Sequence, residues 1–552
     1  MKVCEMSALC GVALSALLSG WAAPASGQAP TITPAGDPSV RNDTIYGLAV
    51  DPTQYADQPF VYLLDDGVVR FEADGRGSRT FRQVIQILTR EAAETWGEQS
   101  FSYTSGRERL TVNWVRVVRP NGQVVSAKPV HEQESIAPVA QESPVFSDVK
   151  VRRVSLGGVA PGTIVDYSYT VETLKPIMPG DYYTGWRVTT GRLTRRSRFI
   201  LDIPAAVSPV IKEANLGFAR HVQEGRGRRV YTWATSEIPV LESEPFASDS
   251  NGLVGRIEVA APNAWGDVAR WYAGLAHDRY AVPPDLEAHL KEVVTGARTL
   301  EDSIRAVHRW VAQDFRYVSL SLGIGGFQPR PPASVYETRY GDCKDKATLF
   351  IALAQRLGVR AYPVLLSSTG GVDRSLPSGR QFDHMIAAIE RSGGYLYLDL
   401  TADLTPFGAL PPAEQGEFGL LVHPDGRGEE VTFPSDSLTA NRTEVRIVGE
   451  LSADGGFVGR FTRTASGSEQ YGLRGSLASS PQMSATDSSK VSRVIANGVF
   501  EGASGDSLEL FNGRDLRAEP RVSLVVRSSR IISNAGTTDI LNLPLDSYTS
   551  AS

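Results

Sequence analysis

Cysteine is nearly absent, with three in 552 residues, and two of them, Cys4 and Cys10, fall within the first ten positions. That scarcity excludes a disulfide-stapled scaffold. A basic excess is missing as well: 56 Lys and Arg stand against 62 Asp and Glu, for a net charge of -6. With no surplus of cations to neutralise phosphates, nucleic acid is a poor partner candidate. Histidine numbers only seven. No His or Cys group has metal-ligand spacing, and no acidic cluster reads as a calcium loop, so neither a metal nor a cofactor is expected. Past the N-terminus there is no apolar run long enough to cross a bilayer.

What is present suits an exported, multidomain globular protein. Lys2, an apolar run from about Ala8 to Leu18 and the small residues Ala22, Ala23, Pro24 and Ala25 read as a secretory signal peptide over 1–28. Export to the periplasm or the extracellular space is therefore expected. Cleavage would remove Cys4 and Cys10 and leave Cys343 as the only thiol. An unpaired thiol in an oxidising compartment is a liability unless it has a use.

The remaining length exceeds one core. Residues 29–58, mainly Pro, Thr, Gly and Asp without periodicity, read as a linker. Over 59–245, β-forming runs such as Phe81–Leu88 and Thr163–Val171 are separated by turn signals at Pro120-Asn121-Gly122 and Pro161-Gly162. This predicts a β-sandwich of antiparallel strands. Over 246–430 helical spacing takes over, in Trp265, Val268, Tyr272 and Leu275 and again in Leu300, Ile304, Val307, Val311 and Phe315. Thr299 and Asp302 form a capping-box start for the second of these helices. A third helix is predicted from Cys343 to Leu357, stopped by Gly358. Two strands follow, Phe382–Glu390 and Tyr395–Thr401, completing a compact α+β domain. Over 431–552 the pattern is β-rich again, with Val445, Ile447 and Leu451 facing Phe457 and Phe461 across Ala453-Asp454-Gly455-Gly456. The Ser-, Ala- and Thr-rich stretch 476–490 reads as a loop or weak helix. The end of the chain, just after Leu541-Asn542-Leu543-Pro544, leaves open that this last domain is incomplete.

Chemistry concentrates at Tyr340-Gly341-Asp342-Cys343-Lys344-Asp345-Lys346-Ala347, where a glycine-containing turn enters a helix. Unsatisfied N–H groups at a helix start favour a thiolate, the nucleophilic form. Lys344 adds positive potential, and Asp342 and Asp345 oppose it. A cysteine nucleophile also needs a base and a group that orients the base. The hairpin supplies both. With a two- or four-residue loop, paired positions sum to 785, so Ile386 faces Asp399 and His384 faces Thr401. His384 and Asp399 then share one face as diagonal neighbours, roughly 7 to 8 Å apart at the backbone. A three-residue loop would flip one strand and separate them. Gln328, in Gly325-Gly326-Phe327-Gln328-Pro329, is a candidate oxyanion donor beside the backbone N–H of Cys343. His308 is expected to be packed rather than to act as a second base.

Residues from about Ala306 to Asp403 resemble the transglutaminase-like superfamily of papain-fold cysteine enzymes. There the order is Cys on a helix N-terminus, then His, then Asp on adjacent strands, and Gly341-Asp342-Cys343-Lys344-Asp345-Lys346-Ala347 is similar to the motif of bacterial members. The preceding β-rich region resembles the domain of unknown function that often precedes this core in exported bacterial proteins. The resemblance implies a central papain-like core and a Cys343-His384-Asp399 triad. Animal cross-linking members usually carry tryptophan directly after the nucleophile. Lys344 stands there in this chain, so the resemblance does not favour cross-linking over hydrolysis.

The expected activity is acyl transfer on an amide of a protein, peptide or cell-envelope substrate. The alternative is a catalytically silent scaffold that binds such a polymer or protein. A serine hydrolase is disfavoured by the lack of a Gly-x-Ser-x-Gly elbow.

Overall fold

The computed structural model describes residues 43–136, 145–188, 191–241, 253–437, 439–479, 484–536 and 538–541. The expected signal peptide, with Cys4 and Cys10, lies outside the described residues, as do positions 29–42 of the expected linker and all but Leu541 of the terminal Leu541–Pro544 stretch. Among the described residues no helix is long and apolar enough to cross a membrane.

The N-terminal region is strand-rich. Its main sheet has eight strands in the order 221–225, 228–238, 194–204, 60–71, 77–87, 164–173, 108–118 and 124–126. Two three-stranded sheets pack on one face of it. Trp186, Phe199, Trp233 and Ile257 form the core beneath one of them, and Ile85, Phe101, Val154 and Val165 the core beneath the other. This is the sandwich that alternation and turn signals implied, with one departure. Phe60–Phe71 and Thr194–Pro204 pair in parallel. Local patterning cannot specify that choice, because the two strands are joined only through all the intervening ones.

A second departure concerns the linker. Residues 43–58 include two turns of 3-10 helix, Thr44–Leu48 and Pro52–Tyr55, and Ile45 and Tyr46 are buried. They cover the other face of the main sheet with Val61, Leu63, Val84 and Ile164. The Tyr46 hydroxyl donates to Asp166, a fully buried carboxylate that also accepts from Arg82 Nη2 at 2.9 Å, Arg116 Nε at 2.9 Å and Trp114 Nε1 at 3.0 Å. Asp43 pairs with the same Arg82 at 2.6 Å. A segment without periodicity is thus held by a buried ionic cluster.

The central domain is built on a five-stranded sheet ordered Gly394–Leu398, His384–Arg391, Ala361–Leu366, Phe418–Val422 and Gly428–Thr432, all neighbours antiparallel. Helix Cys343–Arg356 lies across one face, buried along its length from Lys344 to Ala354. Helices Trp265–Ala276, Pro284–Val293, Leu300–Asp314 and Pro332–Thr338 surround it. The expected caps are present. Asp302 N donates to Thr299 Oγ1 at 3.1 Å and Thr299 N to Asp302 Oδ2 at 3.0 Å, and Gly358 takes the left-handed conformation past the helix end.

The C-terminal region folds as a four-stranded sheet, with Leu451 opposite Phe457 and Ile447 opposite Phe461 as expected. Of the stretch 476–490, expected as a loop or weak helix, residues 476–478 and 485–490 fall in helices Gln470–Ala478 and Ala485–Val499. Ser492 and Ala496 face the sheet, and a Cβ at Gly505 would collide with the Ser492 carbonyl.

Burial alone would raise the Asp166 carboxyl, but Arg82, Arg116 and the Tyr46 hydroxyl outweigh it and hold the group at about 2. Asp166→Ala would take from Arg82 and Arg116 the buried anion they share, with Asp43 still paired to Arg82, and is expected to cost about 3 kcal/mol. Urea unfolding of the N-terminal domain measures this. A loss near zero would mean that the arginines find other acceptors.

Candidate functional site

Cys343 is the first residue of its helix. Asp342 caps that helix, accepting from Asp345 N at 3.2 Å. Both neighbouring acids are matched locally. Asp342 pairs with the buried Lys344, and Asp345 accepts from Arg330 N and Arg330 Nε, each at 2.8 Å. Lys344 therefore answers Asp342 rather than the thiol. Cys343 is half-buried, packed against the helical core and facing a cavity.

The hairpin has the expected register. Ala387 pairs with Leu398, Ala388 with Tyr397 and Ile389 with Leu396, all summing to 785, through the two-residue turn Ser392-Gly393 with Gly393 at positive φ. His384 opens one strand and Asp399 follows directly after the other. His384 Nε2 stands 3.4 Å from Asp399 Oδ1. Asp399 is fixed by Thr401, whose backbone N and Oγ1 both donate to Oδ1 at 2.8 Å. Burial, the largest influence on His384, disfavours its cation, but Asp399 and then Cys343 outweigh it and raise the imidazole well above its ordinary range. Asp399 is driven the other way. Its burial penalty is overcome by His384 and Thr401, and the carboxyl is held far below the usual carboxylate range.

Gln328 is not brought to these residues. Its Nε2 donates to the Leu275 carbonyl at 3.0 Å, and Phe327 rather than Gln328 lines the cavity. His308 is buried between Phe350 and Phe407, and burial pushes it down to about 4.

Glu414 is the residue that sequence reasoning missed. It is buried, with Oε1 3.7 Å from His384 Nε2 and Oε2 lacking any hydrogen-bond partner among the described residues. Desolvation, then the Asp399 charge, push its carboxyl up to about 9, so it is protonated at neutral pH. It lies in the connection between Leu398 and Phe418, which forms no strand or helix. That length of irregular chain was the available signal, because long unstructured connections in compact domains are commonly functional. The turn bearing it is clamped from the C-terminal domain. Tyr471 Oη donates to the Leu410 carbonyl at 3.1 Å, and Gln415 Nε2 meets Ser468 Oγ at 3.1 Å. His384, Asp399 and Glu414 together place one nitrogen and two oxygens within 4.8 Å of one another. That donor set could hold a divalent cation, which would take the His384 nitrogen that faces Asp399.

The cavity has a volume of about 370 Å³ and runs between the central and N-terminal domains, with Cys343 and His384 on one wall. Several contacts join the domains around it, among them a hydrogen bond from Gly323 N to Asp148 Oδ2. Strand Ser319–Ser321 pairs in parallel with Val145–Ser147, Ser378 Oγ donates to Asp181 Oδ2 at 2.9 Å, and Lys212 pairs with Asp373.

Residues 287–376 match the family profile described as the transglutaminase-like superfamily, and residues 73–242 match a domain of unknown function with solved structure, DUF3857. The first match contains Cys343 and ends before His384. The fold is similar to a protein of Parabacteroides distasonis provisionally described as a protease, at 12% identity and a TM-score of 0.56, covering 85% of this chain and 93% of that one. A protein of Cytophaga hutchinsonii provisionally described as a cysteine protease aligns over 59% of this chain and 75% of that one, at 12% identity and a TM-score of 0.18 that carries no argument. No curated protein matches the chain.

Because Glu414 is protonated in the fold where an unfolded glutamate is not, the native state holds more protons between about 4.5 and about 9. Stability contributed by this residue therefore falls as pH rises through that window. Glu414→Gln abolishes the titration, so its thermal midpoint is expected to gain on the wild type by several degrees from pH 5 to pH 8. Parallel pH profiles for the two proteins would contradict this.

Proposed function

Since residues 287–376 belong to the transglutaminase-like superfamily, we propose that the protein is a thiol enzyme that cleaves or transfers an amide through Cys343, His384 and Asp399. The observation that carries this reading is the position of His384, between a buried carboxylate 3.4 Å from Nε2 and the only free cysteine among the described residues. With Nε2 turned to Asp399, Nδ1 is the ring nitrogen left for Cys343.

In the reaction proposed, the Cys343 sulfur attacks the carbonyl carbon of an amide while His384 carries a proton. The tetrahedral oxyanion is met by the backbone N–H of Cys343 at the helix start, where the helix dipole also favours negative charge. The intermediate collapses as the C–N bond breaks, and His384 gives its proton to the departing amine. The resulting thioester is resolved by water, or by an amine, deprotonated by the neutral imidazole. Asp399, fixed by Thr401, keeps the ring oriented and stabilises its cation. Hydrolysis and transfer use the same residues and differ in which nucleophile reaches the thioester. The substrate class is a protein, peptide or cell-envelope amide, and the leader-like N-terminus supports a site of action outside the cytoplasm.

The test is alkylation of Cys343 by iodoacetamide across pH, read from the Cys343 peptide by mass spectrometry. At neutral pH wild type is expected to react faster than His384→Ala, because a neighbouring imidazole draws off the thiol proton. Asp399→Ala should slow the same alkylation, because the ring loses the carboxylate that orients it and stabilises its cation. An alkylation rate unchanged by His384→Ala would leave the silent scaffold as the better reading.

A further inference from the structure

The cavity is lined by four cations, Arg107, Lys175, Lys344 and Arg380, and by three acids, Glu108, Asp181 and Asp383. The acids have protein donors. Glu108 pairs with Arg79 at 2.6 Å and accepts from Thr104 N. Asp181 accepts from Ser378 Oγ and Asn263 Nδ2, both at 2.9 Å, and Asp383 from Ser368 N at 2.7 Å and Ser368 Oγ at 3.0 Å. The cations are matched less well. Lys344 is taken by Asp342, and Arg107 donates to the Lys175 carbonyl, at 3.2 and 3.3 Å, with Glu108 and Asp148 the acids that act on its charge. The Lys175 ammonium and the Arg380 guanidinium have no hydrogen-bond or ion-pair partner among the described residues.

Arg380 sits four positions before His384 on the central domain, and after its own desolvation the charges it feels are, in falling order, Arg79, Glu108, Asp181 and Arg107, all of the opposite domain. Arg380 and Lys175 are exposed at the cavity wall and Arg107 is half-buried, so all three can meet an anion that enters with a substrate. With the paired groups set aside, Arg107, Lys175 and Arg380 face Asp181 and Asp383, leaving a surplus of one positive charge. A singly charged anion balances that surplus, and the planar fork of a guanidinium fits the two oxygens of a carboxylate.

We propose that Arg380, with Arg107 and Lys175 across the cavity, forms a subsite for a substrate carboxylate, so that Cys343 acts preferentially on amides beside an acidic residue. This rests on the thiol chemistry proposed for Cys343 and adds the substrate class. The N-terminal domain then supplies half of the recognition surface.

The experiment compares N-acetyl-glutamyl and N-acetyl-glutaminyl chloromethyl ketones on the full chain. In each, the Cys343 sulfur forms a bond to the methylene carbon and chloride leaves, and the rate is read from the Cys343 peptide by mass spectrometry. The two probes differ only in a carboxylate against an amide. The glutamyl probe is expected to react about tenfold faster at low salt, as one charge-assisted hydrogen bond would give. The ratio should fall towards one in Arg380→Gln and be partly kept in Arg380→Lys, which retains the charge without the fork. A ratio of one or less in the wild type, with both probes reacting, overturns the subsite and leaves the thiol reading standing. A ratio unchanged in Arg380→Gln overturns it as well. Failure of both probes to label Cys343 overturns the thiol reading, and the subsite with it.

Discussion

Burial of helix Cys343–Arg356 is the constraint on which the site depends. From Lys344 to Ala354 every residue is enclosed, so the helix can neither slide nor rotate without opening the core. Even its charged positions are satisfied in place. Lys346, buried beneath the helix, donates from Nζ to the Ala312 and Phe315 carbonyls at 3.0 Å each. A helix fixed this firmly delivers its first residue to one point. The thiol therefore needs no contact of its own to be positioned, and its surroundings are left to the histidine.

The sheet that buries this helix also carries its base. Met385, Ala387 and Ile389 face the helical core, while Ile386 and Ala388 face the opposite cluster. Strand alternation thus ties hydrophobic packing to catalytic geometry, because a shift of one residue would exchange the two apolar sets between clusters they do not fit and move His384 with them. The ionic groups below the hairpin have a similar economy. Asp399 keeps its charge through His384 and Thr401, and Glu414 stays neutral because burial strips its carboxylate of water and because the adjacent Asp399 charge repels a second one.

The parts of this arrangement that were legible in the sequence are those set by local rules. Thr299 and Asp302 announce a helix start through hydrogen bonds three residues long, and the turn at Ser392-Gly393 fixes a register that follows from parity. Cys343 stands out by its isolation as a thiol. The parts that were not legible depend on distant partners. Residues 43–58 have no pattern of their own and are ordered by arginines that the main sheet presents. The parallel strand pair closes between segments more than a hundred residues apart. Glu414 becomes a neighbour of His384 through a turn that the C-terminal domain holds, and Gln328 is drawn to the Leu275 carbonyl by the path of its loop. In each case the deciding contact is long-range, and short-range periodicity carries no trace of it.

The cleft between the two domains has a consequence for how such a protein can diversify. Residues that would perform chemistry lie between positions 343 and 399, whereas much of the facing wall lies between positions 104 and 181. Selection can rewrite one wall without disturbing the other, since they share a boundary and few side chains. A lineage of such proteins could keep a single reaction while exchanging its targets, much as a tool keeps its handle when the bit is changed.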